Sequence, residues 1–256
     1  MTPKPPPDAR TTAVVLAAGR GTRMRSDLAK VLHPAGGRPL LAWVLDAARA
    51  AGCGRLVVVA GHQAERVRAA VPQSPDLAWA LQERQLGTGH ALARAERALG
   101  EEVAAGSLLL VLSGDVPLVR PETLRELTRA ARGAWGAMAV ATLEEPGALG
   151  RVVPRRHDPG LLDRIVEAAD ASPEELALPT VNAGLYALPA AGVFPYLARL
   201  GTDNAQGELY LTEALAAATR DGEEIRLLPL ADPDEALGVN TPEELARVDR
   251  ILRERR

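Results

Sequence analysis

Short apolar runs without polar alternation recur along the chain, each separated from the next by a segment with helical apolar spacing. No other feature of the sequence constrains its fold as much. Thr12–Ala17, Arg55–Ala60, Leu77–Leu81, Ser107–Leu112 and Ala137–Leu143 read as strands. Between them, Pro39–Ala51, Gln63–Val71, Thr88–Leu99 and Pro121–Arg132 read as helices, the last with proline at its first position. A strand apolar on both faces must be covered on both faces. The expectation is therefore an α/β fold with a doubly wound, mixed but mostly parallel sheet.

The rhythm changes at Gly147. Short strand-like pieces at Gly150–Pro154, Leu162–Ala168 and Pro179–Leu188 have few helices between them, which predicts a β-rich extension packed on the main sheet. Helical spacing returns over Leu209–Arg220, and a last strand is expected at Glu224–Leu228. Thr241 with Glu244 three residues on forms a capping box that opens a C-terminal helix. The organisation expected is a leader over residues 1–11, a single unit over 12–240 and a terminal helix over 241–256. Within that unit, a first part runs to about residue 145 and the β-rich part follows to residue 240. The proline-rich start, MTPKPPPDARTT, reads as a floppy leader.

The net charge of -3 gives no general attraction to nucleic acid or to an anionic membrane, so any anion site must come from local charge. No apolar run approaches a membrane span, and the start of the chain lacks a signal-peptide pattern. Cys53 is the sole cysteine, which excludes an intrachain disulfide and a cysteine-cluster metal site. A cytoplasmic protein is expected.

Local positive charge is found at LAAGRGTRMRSDLAK, residues 16–30, where Arg20, Arg23, Arg25 and Lys30 face only Asp27. This stretch leaves the first strand, and ligands of doubly wound sheets bind beyond the carboxyl ends of the strands. Gly19-Arg20-Gly21 begins like a dinucleotide fingerprint, but Met24 stands where the third glycine belongs, and no Gly-Lys-Ser/Thr follows. What remains is a long glycine loop whose N–H groups and cations suit several phosphates, or else a surface loop with solvated cations.

LAAGRGTRMRSDLAKVLHPAGGRPLL resembles the signature of sugar-phosphate nucleotidyltransferases, and more closely that of the uridyltransferase domain that makes UDP-N-acetylglucosamine in bacteria. Further matches follow in order: LQERQLGTGHA, SGDVPL, GRVV, RIVEAADAS, VNAGLY, NAQGELYLTE and GVNTPEEL, spanning residues 12 to about 250. The resemblance implies a Rossmann-like nucleotidyltransferase fold of the glycosyltransferase-A-like kind. It also implies the reaction of UTP with N-acetylglucosamine 1-phosphate to give UDP-N-acetylglucosamine and pyrophosphate, with Mg²⁺ as cofactor. The alternatives are a nucleotidyltransferase for another sugar 1-phosphate or base, a non-catalytic nucleotide-sugar sensor, and an assembly module.

Individual residues take expectations from both sources. Asp115 ends a strand-like run, where a carboxylate can bind a divalent metal, cap the loop or stand in solvent. Asn240 precedes a helix cap. By resemblance these two hold Mg²⁺, and Asn240 also reaches the sugar. Gln82 carries both a donor and an acceptor, as reading a uracil edge requires. Gly87-Thr88-Gly89 otherwise reads as an ordinary β-to-α turn. By resemblance Leu16, Ala17, Ala18, Gly19, Gln82, Gly87, Thr88, Ser113 and Gly114 hold the nucleotide. Gly150, Glu167 and Asn182 hold the sugar, and Arg23, Lys30 and Asp115 carry catalysis, with Arg23 on the leaving β and γ phosphates.

Four residues depart from the family pattern. Ala168-Ala169 stands for a His-Lys pair, Leu149 for an aromatic, and Ala183 for a threonine. His33, His62, His90 and His157 show neither a metal nor a triad spacing, and each reads as structural or solvated. Trp43, Trp79 and Trp135 read as core or core margin. No hexapeptide repeat of a left-handed β-helix follows Thr241, so acetyltransferase activity and trimerisation are not expected of these residues, although an oligomer is possible.

Overall fold

Three strands set the frame: β1 (Thr11–Ala17), β4 (Arg55–Ala60) and β6 (Leu108–Ser113), with β1 parallel to both of its neighbours. The computed structural model describes residues 10–100 and 107–255. Residues 1–9 of the expected leader lie outside these, while Thr11 already opens β1 and the Arg10 carbonyl accepts from Leu108 N at 2.9 Å.

The remaining strands of this sheet are β5 (Leu77–Leu81), β7 (Gly136–Thr142), β8 (Arg151–Arg155), β9 (Asp158–Val166), β10 (Thr180–Pro189) and β11 (Ile225–Pro229). They assemble in the order β5-β4-β1-β6-β10-β7-β11-β9-β8. A small hairpin of β2 (Pro34–Ala35) and β3 (Arg38–Pro39) stands apart. The helices among the described residues are α1 (Leu40–Ala50), α2 (Ala64–Ala69), α3 (Thr88–Leu99), α4 (Pro121–Arg132), α5 (Pro173–Leu176), α6 (Ala190–Leu197), α7 (Leu211–Arg220) and α8 (Pro242–Glu254).

Each central strand feeds two cores, as its unbroken apolar run requires. Ala13, Val15, Leu56, Val58, Leu110 and Leu112 pack with Leu41, Val44 and Leu45 of α1 and with Leu124 and Leu127 of α4. The alternate residues Val14, Val57, Val59, Leu109 and Val111 pack with Leu92 of α3, Val193 of α6 and Leu215 of α7. Trp135 is fully buried in this second core, edge-on to Tyr196, and Cys53 is buried in the first, where desolvation pushes its thiol up to about 12.

The segment expected as the last piece of the β-rich extension has two neighbourhoods. Val181 of β10 pairs with Arg151 of β8, whereas Leu185–Pro189 run antiparallel to β6 at the heart of the sheet. The continuous apolar run from Leu185 to Leu188 explains this, because both its faces are buried, whereas Val181–Gly184 alternates between buried and half-buried residues. β8 and β9 form the rest of the extension and continue the same sheet at its edge.

Two helices were not among those expected, although Ser172-Pro173-Glu174-Glu175 carries the same capping-box signature as Thr241–Glu244. α5 is a single turn, with Ser172 and Glu175 forming a reciprocal capping box. α6 contains Gly192 and Pro195, which break helices in isolation, but it is fixed by burial: a Cβ on Gly192 would stand 2.7 Å from Pro189 Cγ.

The predicted capping box of α8 is present, with Thr241 Oγ1 accepting from Glu244 N at 3.2 Å and Glu244 Oε2 accepting from Thr241 N at 2.9 Å. Its inner face, Val248 and Leu252, forms a third core with Met24, Ala35, Leu40, Leu118 and Val239. Each buried Met, Leu or Val among them contributes about 1.5–3 kcal/mol. This cluster ties the glycine loop, the segment after Asp115 and the approach to Asn240 into one body.

Candidate active site

The register brings the motif residues to a single edge. Ala17, Ala60 and Leu81 are direct neighbours across β1, β4 and β5, and Leu16 is opposite Ser113. All four strands end there, so the loops that follow them share one rim. Because β10 runs antiparallel to β6, its beginning at Asn182–Gly184 reaches the same rim. Ser113 Oγ lies 3.5 Å from the Gly184 carbonyl.

Two cavities open along this rim. The first, of about 620 Å³, is lined by Leu16, Ala17, Ala18, Gly19, Lys30, Gln82, Gly87, Thr88, Ser113 and Asp115 among the expected residues, with Arg20, Gln85 and Glu208 besides. The second, of about 530 Å³, is lined by Arg23, Gly150, Glu167, Asn182 and Asn240, together with Thr212, Tyr186, Glu244 and Arg247. Thr88, Ser113 and Asp115 belong to both. Gly114 lines neither; it lies behind Ser113, where its N–H donates to Leu16 O at 2.9 Å and a Cβ would press on that carbonyl at 3.1 Å.

The glycine loop is held from three sides. Gly21 has φ 65°, and a Cβ there would stand 2.7 Å from Lys30 Cβ, so the second glycine of the Gly-x-Gly is what lets Lys30 fold back over the loop. Gln63 accepts from Ala29 N at 3.2 Å and donates to the Asp27 carbonyl. Met24, where the dinucleotide fingerprint has its third glycine, is 4% exposed and anchored in the core beneath α8. These supports were not legible, because both Gln63 and the α8 residues are distant in sequence.

Lys30 Nζ donates to Asp115 Oδ2 and, at 3.0 Å, to Asn240 Oδ1. Both side chains of the ion pair are about 15% exposed, at 16% and 15%. The Asn240 amide is set by its own loop: Val239 N donates to Asp115 O at 2.9 Å, and Asn240 N donates to Glu244 Oε2 at 2.6 Å. Asp115 and Asn240 thus aim two hard oxygens at one cation. That donor set suits a magnesium-like ion, which keeps one or two protein oxygens and fills its other positions with water and phosphate. Among the described residues no group of three or more His, Cys, Asp or Glu forms a cluster able to hold a metal.

Gln82 is nearly buried. Its Nε2 donates to the Gly87 carbonyl at 3.0 Å and lies 2.9 Å from His90 Nδ1. Gly87 itself has φ 101° and ψ 174°, a region open almost only to glycine. A Cβ there would stand 2.6 Å from Leu209 O, in the strap that also donates Leu211 N to Thr88 Oγ1. Gly87→Ala is expected to cost about 2 kcal/mol or more from the backbone alone. Calorimetric melting checks this, and an unchanged Tm would count against it.

Gly150, Glu167 and Asn182 come together as expected. Asn182 N donates to Gly150 O at 2.9 Å, and a Cβ on Gly150 would be 3.3 Å from Glu167 Oε2. Asn182 is oriented by the Tyr186 hydroxyl at 2.7 Å and by Gly184 N at 3.0 Å. Glu167 accepts from Thr212 Oγ1 at 2.8 Å. Burial pushes its carboxyl above the usual range, against the Thr212 hydrogen bond, and Asp170, Glu213 and Glu208 add to the rise. Thr212 and Tyr186 stand within NAQGELYLTE and VNAGLY, but neither was singled out, since their contacts depend on tertiary proximity.

The raised carboxyl has a consequence for stability. The folded state binds the Glu167 proton more tightly than the unfolded chain, whose value is near 4.5, so stability falls as pH rises through the folded value. Glu167→Gln is expected to remove that loss, giving a higher Tm at neutral pH and a flatter Tm–pH profile above about pH 4.5. Melting curves across this range test it, and a parallel profile would refute it.

A doubly wound sheet with a glycine loop at its first strand end, and a Lys–Asp–Asn cluster where two cavities meet, defines a Rossmann-like nucleotidyltransferase. The chain belongs to the MobA-like NTP transferase domain family, whose model matches residues 13–219. It is 47% identical over 245 residues to the bifunctional protein GlmU of Geobacter metallireducens, covering 95% of this chain and 50% of that protein. With the bifunctional protein GlmU of Burkholderia mallei it shares 49% over 238 residues, covering 93% and 51%. The chain therefore spans about half the length of the curated relatives it matches. A UDP-glucose pyrophosphorylase complexed with UDP-glucose superposes with a TM-score of 0.78 at 17% identity, covering 96% of this chain and 100% of that one. A nucleotidyl transferase from Methanothermobacter thermautotroptrophicus gives 0.67 at 24%, covering 96% and 99%. No helix among the described residues is long and apolar enough to cross a membrane.

Proposed function

We propose that the chain transfers a uridylyl group from UTP to N-acetylglucosamine 1-phosphate, releasing pyrophosphate. The observation that carries this reading is the pair of cavities sharing Asp115, with Lys30 and Asn240 on that carboxylate. One cavity offers glycine backbone and a glutamine amide to a nucleoside. The other offers Gly150, Glu167 and Asn182 to a sugar.

The sugar phosphate oxygen attacks the α-phosphorus in line; a P–O bond to the sugar phosphate forms as the bond to pyrophosphate breaks. The attacking monoester needs no general base, since its second pKa is about 6. The obstacle is the meeting of two anions and the charge left on pyrophosphate, so positioning and neutralisation do the catalysis. Lys30 serves the reacting phosphate. Arg23 serves the departing β and γ phosphates, and Arg20 lines the nucleotide side of the same loop. Asp115 and Asn240 would hold Mg²⁺, which when bound supplies further neutralisation of the phosphates.

Ala168, Ala169, Leu149 and Ala183 favour a second reading, in which the sugar 1-phosphate differs. Leu149 and Ala183 both line the second cavity. Pyrophosphate release measured with UTP, CTP, ATP and dTTP against a panel of sugar 1-phosphates decides between them. Fastest turnover with UTP and N-acetylglucosamine 1-phosphate is expected. Faster turnover with another sugar supports the second reading, and nucleotide binding without pyrophosphate release overturns both.

A further inference from the structure

We propose that His90 is a positioning residue that fixes the Gln82 amide and thereby sets the base preference of the first cavity. This rests on the reading of that cavity as the nucleotide site. Gln82 Nε2 lies within hydrogen-bond distance of both the Gly87 carbonyl, at 3.0 Å, and His90 Nδ1, at 2.9 Å. A carbonyl can only accept, so the atom facing it is the amide nitrogen and the usual ambiguity of a glutamine amide is resolved. An amide nitrogen has two hydrogens. The second is then donated to His90 Nδ1, which must carry a lone pair, and the imidazole proton sits on Nε2.

With both N–H groups spent on protein, Gln82 has only its Oε1 acceptor left for a ligand. An acceptor on the wall matches an imide N–H flanked by carbonyls, the edge of uracil, and opposes the ring lone pair that cytosine presents at the same place. Burial, with the charges of Arg94 and Arg84, holds the His90 imidazole below its usual range in spite of the Arg84 backbone carbonyl, which agrees with a neutral ring. Without the Nδ1 acceptor, one of the two anchors is lost, and only the Gly87 carbonyl then opposes a turn of the amide that would bring an N–H in place of Oε1 to cytosine N3. The discrimination then falls. Asparagine places Oδ1 on the same γ carbon where histidine places Nδ1, so it restores the acceptor.

The experiment compares wild type, His90→Leu and His90→Asn with UTP and CTP, using Kd from calorimetry and KM and kcat from pyrophosphate release. The expected result is a roughly tenfold narrower UTP-over-CTP ratio in His90→Leu, the worth of about one hydrogen bond. The change should fall on KM and Kd, with kcat for UTP within about twofold, because a contact equal in ground and transition states leaves kcat untouched. His90→Asn should keep the wild-type ratio. A preserved ratio in His90→Leu, or a His90→Asn variant as impaired as the leucine one, overturns the role of His90 alone. A wild type without preference for UTP overturns the nucleotide reading as well.

Discussion

Replacing Lys30 with alanine is expected to lower kcat by on the order of 10²–10³, the usual loss when one preorganised charge partner of a transition state is removed. Lys30 is the cation placed on both Asp115 and Asn240, and Gly21 has no side chain so that it can sit there. The loss should appear in kcat and kcat/KM alike, since the charge it neutralises grows only as the phosphate bond changes. Arg23→Ala is expected to lose about 10² for the same reason at the leaving group. A second readout separates catalysis from structure. In the free protein the ammonium occupies the focus of the two oxygens, so Lys30→Ala should bind Mn²⁺ at least as tightly as wild type, as measured by spin resonance. Near-normal turnover in both variants would refute the assignment.

The second large effect is expected at Asp115. Asp115→Asn keeps the shape and removes the charge that both cavities share, and turnover should fall by about 10³. Divalent-ion affinity should weaken in parallel, because Asn240 would remain as a neutral donor beside a second neutral one. The Lys30 ammonium would lose its ion pair while largely shielded from water, so some loss of Tm accompanies the change. Wild-type affinity for Mn²⁺ with reduced turnover would place Asp115 elsewhere in the reaction, and full turnover would remove it from the centre.

Much of the fold was legible. The boundaries of β4, β5, α3 and α4 coincide with the runs read from apolar spacing, and the capping box at Thr241 was visible as two residues three apart. These features depend on neighbours within a turn or two of chain. α6 was hidden because Gly192 and Pro195 argue locally against a helix, while the cavity between Pro189 and Trp135 admits only a residue without a side chain. The central place of β10 was hidden as well, because an apolar run states that a strand is covered and leaves open which strands cover it.

The site divides along the same line. Sequence alone determined the chemical inventory: a cationic glycine loop, a carboxylate at a strand end, a glutamine before a glycine turn, and the order in which they occur. Tertiary structure decided which of them meet. It set Lys30 on Asp115 and Asn240 across 85 and 210 residues, brought Gly150, Glu167 and Asn182 to one wall, and turned Met24 into the anchor of its loop beneath α8. The physical reason is range. Periodicity and caps are written in contacts a few residues apart, whereas a charge cluster depends on strand order and register, which the whole core settles together.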